Sequence, residues 1–440
     1  MRKVSVRQRQ WILSELPLLE REGVLDPQAR QRLESYYRIQ ASNRSNWAMI
    51  VCAALAAMLI GGGIILLFAH NWDMLSRTTR AVLSFCPLLI GSVLSWFAMR
   101  GNKRAFMESA GLFHALSVGA SIALIGQTYH LPSNTQAFLL TWALLVLPLV
   151  FLLRSTGCYL IYLALICGWS GVAQEDMGQA IGFWALLLPA ILRIIEIGRR
   201  DRHSPETLIS LWGLMIMLPI ALGIVLERTM PGLWIIAYTS LFSLSGLLGM
   251  RLYPDQSGWS NPMRSIGLLG ATVLVYILTW QATWFDIGWQ HTRSAWRYQD
   301  WGIWHDSTTA MLLLISWAVC AVRSCKRSSL PSIILSSLPV LAVLGFALST
   351  SGADLLSTLL FNLFMLTLGL AYLIQGCRLT TLRQVNFGMG LISLLVITRF
   401  FDSDFGFLAR GIAFILIGCG FLAANLIITR KKHPVETPKQ

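Results

Sequence analysis

The sequence predicts an all-α fold: a polytopic helical membrane protein of about 14 transmembrane helices with a short cytoplasmic N-terminal helical hairpin. Three observations carry this. Of 440 residues, 55% are hydrophobic and only 13% charged, where soluble domains carry roughly a quarter charged residues. The apolar residues come in uninterrupted runs of about 20, the length at which a helix crosses the hydrocarbon core while satisfying its own backbone polar groups. The basic residues gather at the ends of those runs.

Residues 1–46 read as the hairpin. A first helix runs from about Val6 to Glu22, and Gly23 suits the left-handed turn that ends it. Asp26 is a good N-cap for the second, and Pro27 at the first helical position loses no hydrogen bond. Ala29, Leu33, Tyr36 and Tyr37 share one face at helical spacing. That face suits packing within the hairpin or docking of a protein partner. No apolar run stands where a cleavable signal would have one.

Residues 47–430 form the transmembrane domain. Spans are expected to start near Trp47, Thr78, Phe106, Gln136, Gly157, Gly178, Thr207, Gly232, Met263, Thr308, Ser332, Asp354, Leu382 and Arg410. With the N-terminus in the cytoplasm, the inner segments hold most of the 35 Lys and Arg residues, as the positive-inside rule requires. Outside remain Arg77, Arg80, Arg228, Arg293, Arg297, Arg399 and Arg410. An even number of spans then puts both termini, including the basic tail 431–440, in the cytoplasm. The expected location is a bacterial inner membrane. The net charge of +14 is a matter of topology, because no basic, aromatic-interleaved soluble module exists to bind nucleic acid.

The eight cysteines (Cys52, Cys86, Cys158, Cys167, Cys320, Cys325, Cys377, Cys419) lie in or beside apolar runs without C-x-x-C spacing, so neither disulfides nor a zinc site is expected. No Walker loop, G-x-S-x-G elbow or H-E-x-x-H motif is present. No cofactor or metal is implied. The glycines Gly61, Gly62 and Gly63 suit close helix packing.

Four places remain where chemistry could reside. The third span is the most polar: His114, Ser117, Ser121 and Thr128 fall on one helical stripe, which should face protein or water rather than lipid. Either interhelical hydrogen bonding or a solute or proton path explains it. Glu108 lies off that stripe near the inner end. The exit "GQTYHLPSNTQ" offers Gln127, Tyr129 and His130 at the outer face, beside turn residues Pro132, Ser133 and Asn134. Near the C-terminus Arg399, Asp402, Asp404 and Arg410 invite either local pairing or recognition of an anionic group by the arginine fork. The longest outer loop holds Trp280, Trp284, Trp289, Trp296, Trp301 and Trp304. Those rings suit an interfacial anchor, or the lip of a site with His291, Arg293, Arg297 and His305. Within the sixth span, Arg193 and Glu196 are explained by snorkelling and mutual pairing.

Three stretches together, "EREGVLDPQARQRLESYY", "LIGQTYHLPSNTQAFLLTWALLVLPLVFLLRS" and "TRFFDSDFGFLARGIAFILIGCGFLAANLIITRKK", resemble a bacterial predicted-membrane-protein family called domain of unknown function 2157. The resemblance implies a cytoplasmic helical segment followed by many spans, and it carries over no catalytic residue. The last stretch also resembles a related multi-span family without an assigned activity. The leading functional expectation is binding or transport of a small or lipid-like solute, an anionic one included, in contact with the lipid bilayer. The alternatives are an outer-face membrane enzyme of the lipid-linked sugar transferase type, and a membrane scaffold or complex subunit.

Overall fold

The computed structural model describes residues 6–42, 75–101, 103–132, 134–177, 180–226, 232–254, 256, 258–285, 287, 301–324, 330–379, 381–402, 415, 418–420 and 422. It divides into two units, Met1–Val82 and Leu83–Gln440. The first holds α1 (Val6–Arg21) and α2 (Pro27–Ser42). Gly23 between them has φ +72°, the left-handed region that glycine enters freely. The Asp26 carbonyl accepts from the Arg30 amide at 3.0 Å to start α2, and Arg30 also bonds Glu20 across the turn.

The remaining helices are α3 (Arg77–Gly101), α4 (Arg104–Thr128), α5 (Thr135–Leu152), α6 (Thr156–Met177), α7 (Gly182–Arg200), α8 (Pro205–Val225), α9 (Leu233–Leu252), α10 (Pro262–Leu278), the short α11 (Ala282–Phe285), α12 (Trp301–Ser324), α13 (Leu330–Ser336), α14 (Leu338–Thr350), α15 (Asp354–Arg378) and α16 (Leu382–Asp402). The first turns of α3 belong to the first unit. No strand occurs among the described residues. Eight helices are long and apolar enough to cross a membrane: α3, α4, α5, α6, α8, α9, α12 and α15. Two more, α10 and α14, are apolar but shorter. Side chains such as Leu89 (63% exposed), Leu312 and Leu363 stand bare on these helices, as a lipid solvent permits and water does not.

Local chemistry sets the helix starts. Asn134 accepts from the Ala137 amide to cap α5. Ser204 accepts from Thr207 ahead of Pro205 in α8, and Asn261 accepts from Arg264 ahead of Pro262 in α10. The fully buried Asn261 also donates to the Gly249 carbonyl at 2.9 Å, tying the end of α9 to the start of α10. These two helices pack through glycine. A Cβ on Gly267 would stand 2.5 Å from the Gly246 nitrogen, a distance no side chain tolerates.

The run expected to start near Ser332 is two helices, not one. It breaks at Ser337, ahead of Pro339, whose ring cannot continue the preceding hydrogen-bond ladder. Ser243 of α9 donates to the Leu335 carbonyl beside the break. One core gathers on α4 to α8 around Tyr159, Tyr162, Ile166 and Phe183. Another gathers on α9 to α16 around Trp284, Leu338, Phe361 and Leu368. Helix α9 touches α8, α10, α12, α13 and α14.

Candidate functional site

Helix α6 crosses the first of these cores. Tyr159, Tyr162, Ile166, Trp169 and Ala173 recur at intervals of three and four and so share one face; none is more than 6% exposed. Three of these five are aromatic rings with a polar handle, unusual in the driest part of a lipid-embedded core. Tyr162 is satisfied, donating to the Leu186 carbonyl at 2.6 Å. The Tyr159 hydroxyl, the Trp169 indole N–H and the Gln174 side-chain carbonyl are buried with no hydrogen-bond partner among the described residues. Tyr159 and Gln174 are 15 residues apart, about 22 Å along the helix axis. A polar group left unpaired in an apolar interior costs roughly 1–3 kcal/mol. Three on one helix are therefore a substantial fraction of a typical folding stability of about 5–15 kcal/mol.

The N-terminal end of α6 meets a set of ion pairs. Arg193 of α7 is buried (2% exposed), and its two terminal nitrogens donate to Glu196 at 2.8 Å and to Glu206 of α8 at 3.0 Å. Glu206 also takes Arg104 from the first turn of α4, and Glu196 takes Arg200 at 2.6 Å. The clasp thus joins α4, α7 and α8. Mutual pairing of Arg193 with Glu196 is present, while snorkelling is not, because the guanidinium is enclosed by carboxylates from two helices.

Glu108 lies beside this clasp, with a role its position on the sequence did not disclose. Its carboxylate accepts from the Ser155 hydroxyl (2.6 Å) and from the Thr156 (2.9 Å) and Gly157 (3.1 Å) amides. It caps α6 from a neighbouring helix, satisfying N–H groups that a helix start leaves open and complementing its dipole. At the same end the Tyr253 hydroxyl donates to the Arg202 carbonyl at 3.1 Å, and burial pushes that phenol above its ordinary pKa.

The polar stripe of α4 faces protein. Ser117, Ser121 and Thr128 are all under 5% exposed. Ser117 and Thr128 donate to carbonyls of their own helix, whereas Ser121 reaches the Ser84 carbonyl of α3 at 2.7 Å. Half-buried His114 lies between Ser95 (3.0 Å to Nδ1) and Ser92 (3.4 Å to Nε2) of α3. Because Ser92 gives its own proton to the Leu88 carbonyl, it can only accept from Nε2–H. Nδ1 is then the acceptor for Ser95. Gln127 is exposed in the last turn of α4, and Tyr129 and His130 are exposed in the turn after it, His130 with φ +52°.

A third polar group lies at the other ends of the helices. Arg399 of α16 donates from Nε to Asn362 of α15 at 3.0 Å, bonds the Thr279 carbonyl at the end of α10, and lies 5.9 Å from the Trp280 ring. Its helix neighbour Asp402 has no described side chain, and Arg410, His291, Arg293 and Arg297 lie outside the described residues. His305 belongs to the first turns of α12 rather than to the loop, since the helix already starts at Trp301. Its Nε2 accepts from the Trp184 indole at 2.8 Å, which leaves the proton on Nδ1 to meet Asp306 at 3.1 Å. Trp284 is no interfacial anchor. It is fully buried, donates to the Leu278 carbonyl and packs 5.4 Å from Phe361, because α11 folds back over the end of α10. Trp304, by contrast, is 68% exposed.

Two hollows open elsewhere, one of about 210 Å³ beside Gln375 and Arg378 and one of about 630 Å³ beside Gln28 and Arg32. Neither reaches His114 or the α6 seam.

Apolar helices of spanning length, bare apolar faces and interior polar networks define a multi-pass helical membrane protein. Within it, residues 17–159 match the model of a family described as predicted membrane protein (DUF2157), from α1 to the first turn of α6. The match takes in the first two of the three stretches that carried the resemblance in the sequence, about a third of the chain, and leaves the C-terminal stretch outside it. No curated protein and no solved structure matches the chain.

Proposed function

We propose that this protein binds and moves a small polar solute along the buried seam of α6, between Gln174 at one end and Tyr159 at the other. The observation that supports this is the set of enclosed hydrogen-bonding atoms on α6 without a partner among the described residues: the Tyr159 hydroxyl and Trp169 N–H on that seam, and the Gln174 carbonyl on an adjoining face of the same helix. They offer donors and an acceptor on aromatic walls, which suits a ligand bearing both. The clasp of Arg193, Glu196, Glu206 and Arg104 closes the Tyr159 end. We place that end in the cytoplasm, because Lys103, Arg104, Arg199, Arg200 and Arg202 lie there and basic residues are retained on that side.

Hydroxyl-radical footprinting of the full chain in lipid nanodiscs tests the reading. Enclosed rings are oxidised quickly only where water or an exchanging polar solute adjoins them. Trp169 (6% exposed) should label several-fold faster than Trp284, which is fully enclosed and bonded to Leu278. Equal, slow labelling of the two would mean a dry seam and would end the proposal. Native mass spectrometry of the same preparation then reads the solute, as a small bound mass that a Tyr159→Phe, Gln174→Leu double variant releases.

A further inference from the structure

The clasp leaves basic side chains at its own end of the helices unused. Lys103 precedes α4, Arg154 joins α5 to α6, and Arg199 lies in the last turn of α7. All three are exposed, and none enters an ion pair among the described residues. The fold brings them to one place. Glu108, one turn into α4, holds the amides of Thr156 and Gly157, which fixes Arg154 beside the start of α4. Glu206 bonds both Arg104 at the start of α4 and Arg193 of α7, which brings the end of α7 to the same place. Cations outnumber carboxylates here: Lys103, Arg104, Arg154, Arg193, Arg199 and Arg200 stand against Glu108, Glu196 and Glu206.

Arg154 carries a second, independent sign. Its φ is +50°, the left-handed region that costs a side-chain-bearing residue energy and that glycine ordinarily fills. An outlier kept against that cost points to a use for the side chain. The surface next to it has the matching apolar part. Phe151 (39% exposed) and Leu152 (62%) end α5 just before Arg154, and Leu192 (53%) and Ile195 (42%) lie on α7 before Arg199. A cationic cluster set directly against bare apolar side chains at the ends of membrane helices matches a phosphate headgroup with its acyl chains attached. A free anion would have no use for the apolar half.

We propose that the meeting of α4, α6 and α7 is a binding site for an anionic phospholipid. The Arg154 fork grips the headgroup phosphate, Lys103 and Arg199 flank it, and the chains lie along Phe151, Leu152, Leu192 and Ile195. Arginine suits the contact because its planar donors meet two phosphate oxygens at once. The site does not depend on the solute seam.

The test is native mass spectrometry of the full chain titrated with phosphatidylglycerol or phosphatidylethanolamine. The variants are Arg154→Gly and, as a control at an exposed arginine ending α15, Arg378→Gln. Glycine takes the φ of position 154 without strain, so the fold is kept; Arg154→Asn, also at ease there, guards against a glycine-specific effect. The native chain should prefer phosphatidylglycerol. Both position-154 variants should bind it roughly fivefold more weakly, as expected for one arginine at an anionic headgroup, with phosphatidylethanolamine binding unchanged and Arg378→Gln like the native chain. Unaltered phosphatidylglycerol binding by the position-154 variants, or an equal loss in Arg378→Gln, would overturn the site. Displacement of the lipid by millimolar inorganic phosphate would overturn its assignment to lipid.

Discussion

Removing one oxygen atom from the α6 seam separates a wet interior from a dry one by the sign of the effect. In Tyr159→Phe the ring, its packing and its 1% exposure are kept and the hydroxyl is lost. If the seam is dry, that hydroxyl is an unpaired polar group whose burial costs roughly 1–3 kcal/mol, and deleting it stabilises the protein by a like amount. If water or solute bonds it, deletion loses a hydrogen bond worth about 0.5–1.5 kcal/mol. Tyr162 sets the scale one turn further on. Its hydroxyl donates to the Leu186 carbonyl at 2.6 Å, so Tyr162→Phe should destabilise by about 1 kcal/mol in either case. The assay is reversible unfolding in mixed micelles, followed by tryptophan fluorescence as the denaturing detergent fraction rises. A functional seam predicts that both variants unfold earlier than the native chain. Later unfolding of Tyr159→Phe beside earlier unfolding of Tyr162→Phe would refute the reasoning.

Other consequences follow from the contacts around that seam. Glu108→Ala strips three hydrogen bonds from the start of α6 and should cost about 2 kcal/mol, the upper range for a helix cap, read in the same unfolding assay; Glu108→Gln, which keeps an acceptor oxygen, should recover part of it. Arg193→Met leaves Glu196 to Arg200 and Glu206 to Arg104, so its cost should fall at or below the roughly 3–5 kcal/mol of breaking a buried pair. An Arg193→Met, Glu206→Gln double variant should lose less than the sum of its two single changes. At Gly119 an added Cβ would stand 2.4 Å from the Trp142 ring, which is pinned by its N–H to the Ala115 carbonyl at 2.7 Å. Gly119→Ala should therefore destabilise by about 1–3 kcal/mol through overpacking, and Gly119→Ala with Trp142→Leu should recover most of that loss.

The helices were legible in the sequence because apolar length is a one-dimensional property. From Thr78 to Leu382 each predicted start lies on or near an observed helix, the largest departure being Thr308 against Trp301. Short-range chemistry was legible for the same reason: Gly23 with its left-handed φ, Pro27 opening α2, Arg193 with Glu196 one turn on. What did not show is any contact made between helices. Glu108 finds its amides on another helix, Arg193 finds Glu206 beyond the end of its own, and Arg399 finds Asn362 on α15, where the sequence offered nearby aspartates or an anionic ligand. Trp284 looked like its neighbours in a tryptophan-rich loop until α11 turned it inward.

The α6 seam escaped notice for a deeper reason. Tyr159, Tyr162, Ile166, Trp169 and Ala173 keep a regular spacing, but in a water-soluble helix such a stripe stands out only against a polar opposite face. A helix in lipid is apolar all round, so hydropathy carries no record of which face meets protein. The scarce polar atoms carry that record instead, because lipid offers them nothing and each must be answered from within. His114, Ser121, Asn261, Arg193 and Glu108 are answered by named partners, and each of those partnerships fixes one helix against another. Tyr159, Trp169 and Gln174 find no partner among the described residues. Ser240, Gln256, Trp317, Gln375 and Ser393 share that condition, scattered over other elements; α6 is where three such atoms gather on one helix, and a partner the protein exchanges accounts for that gathering.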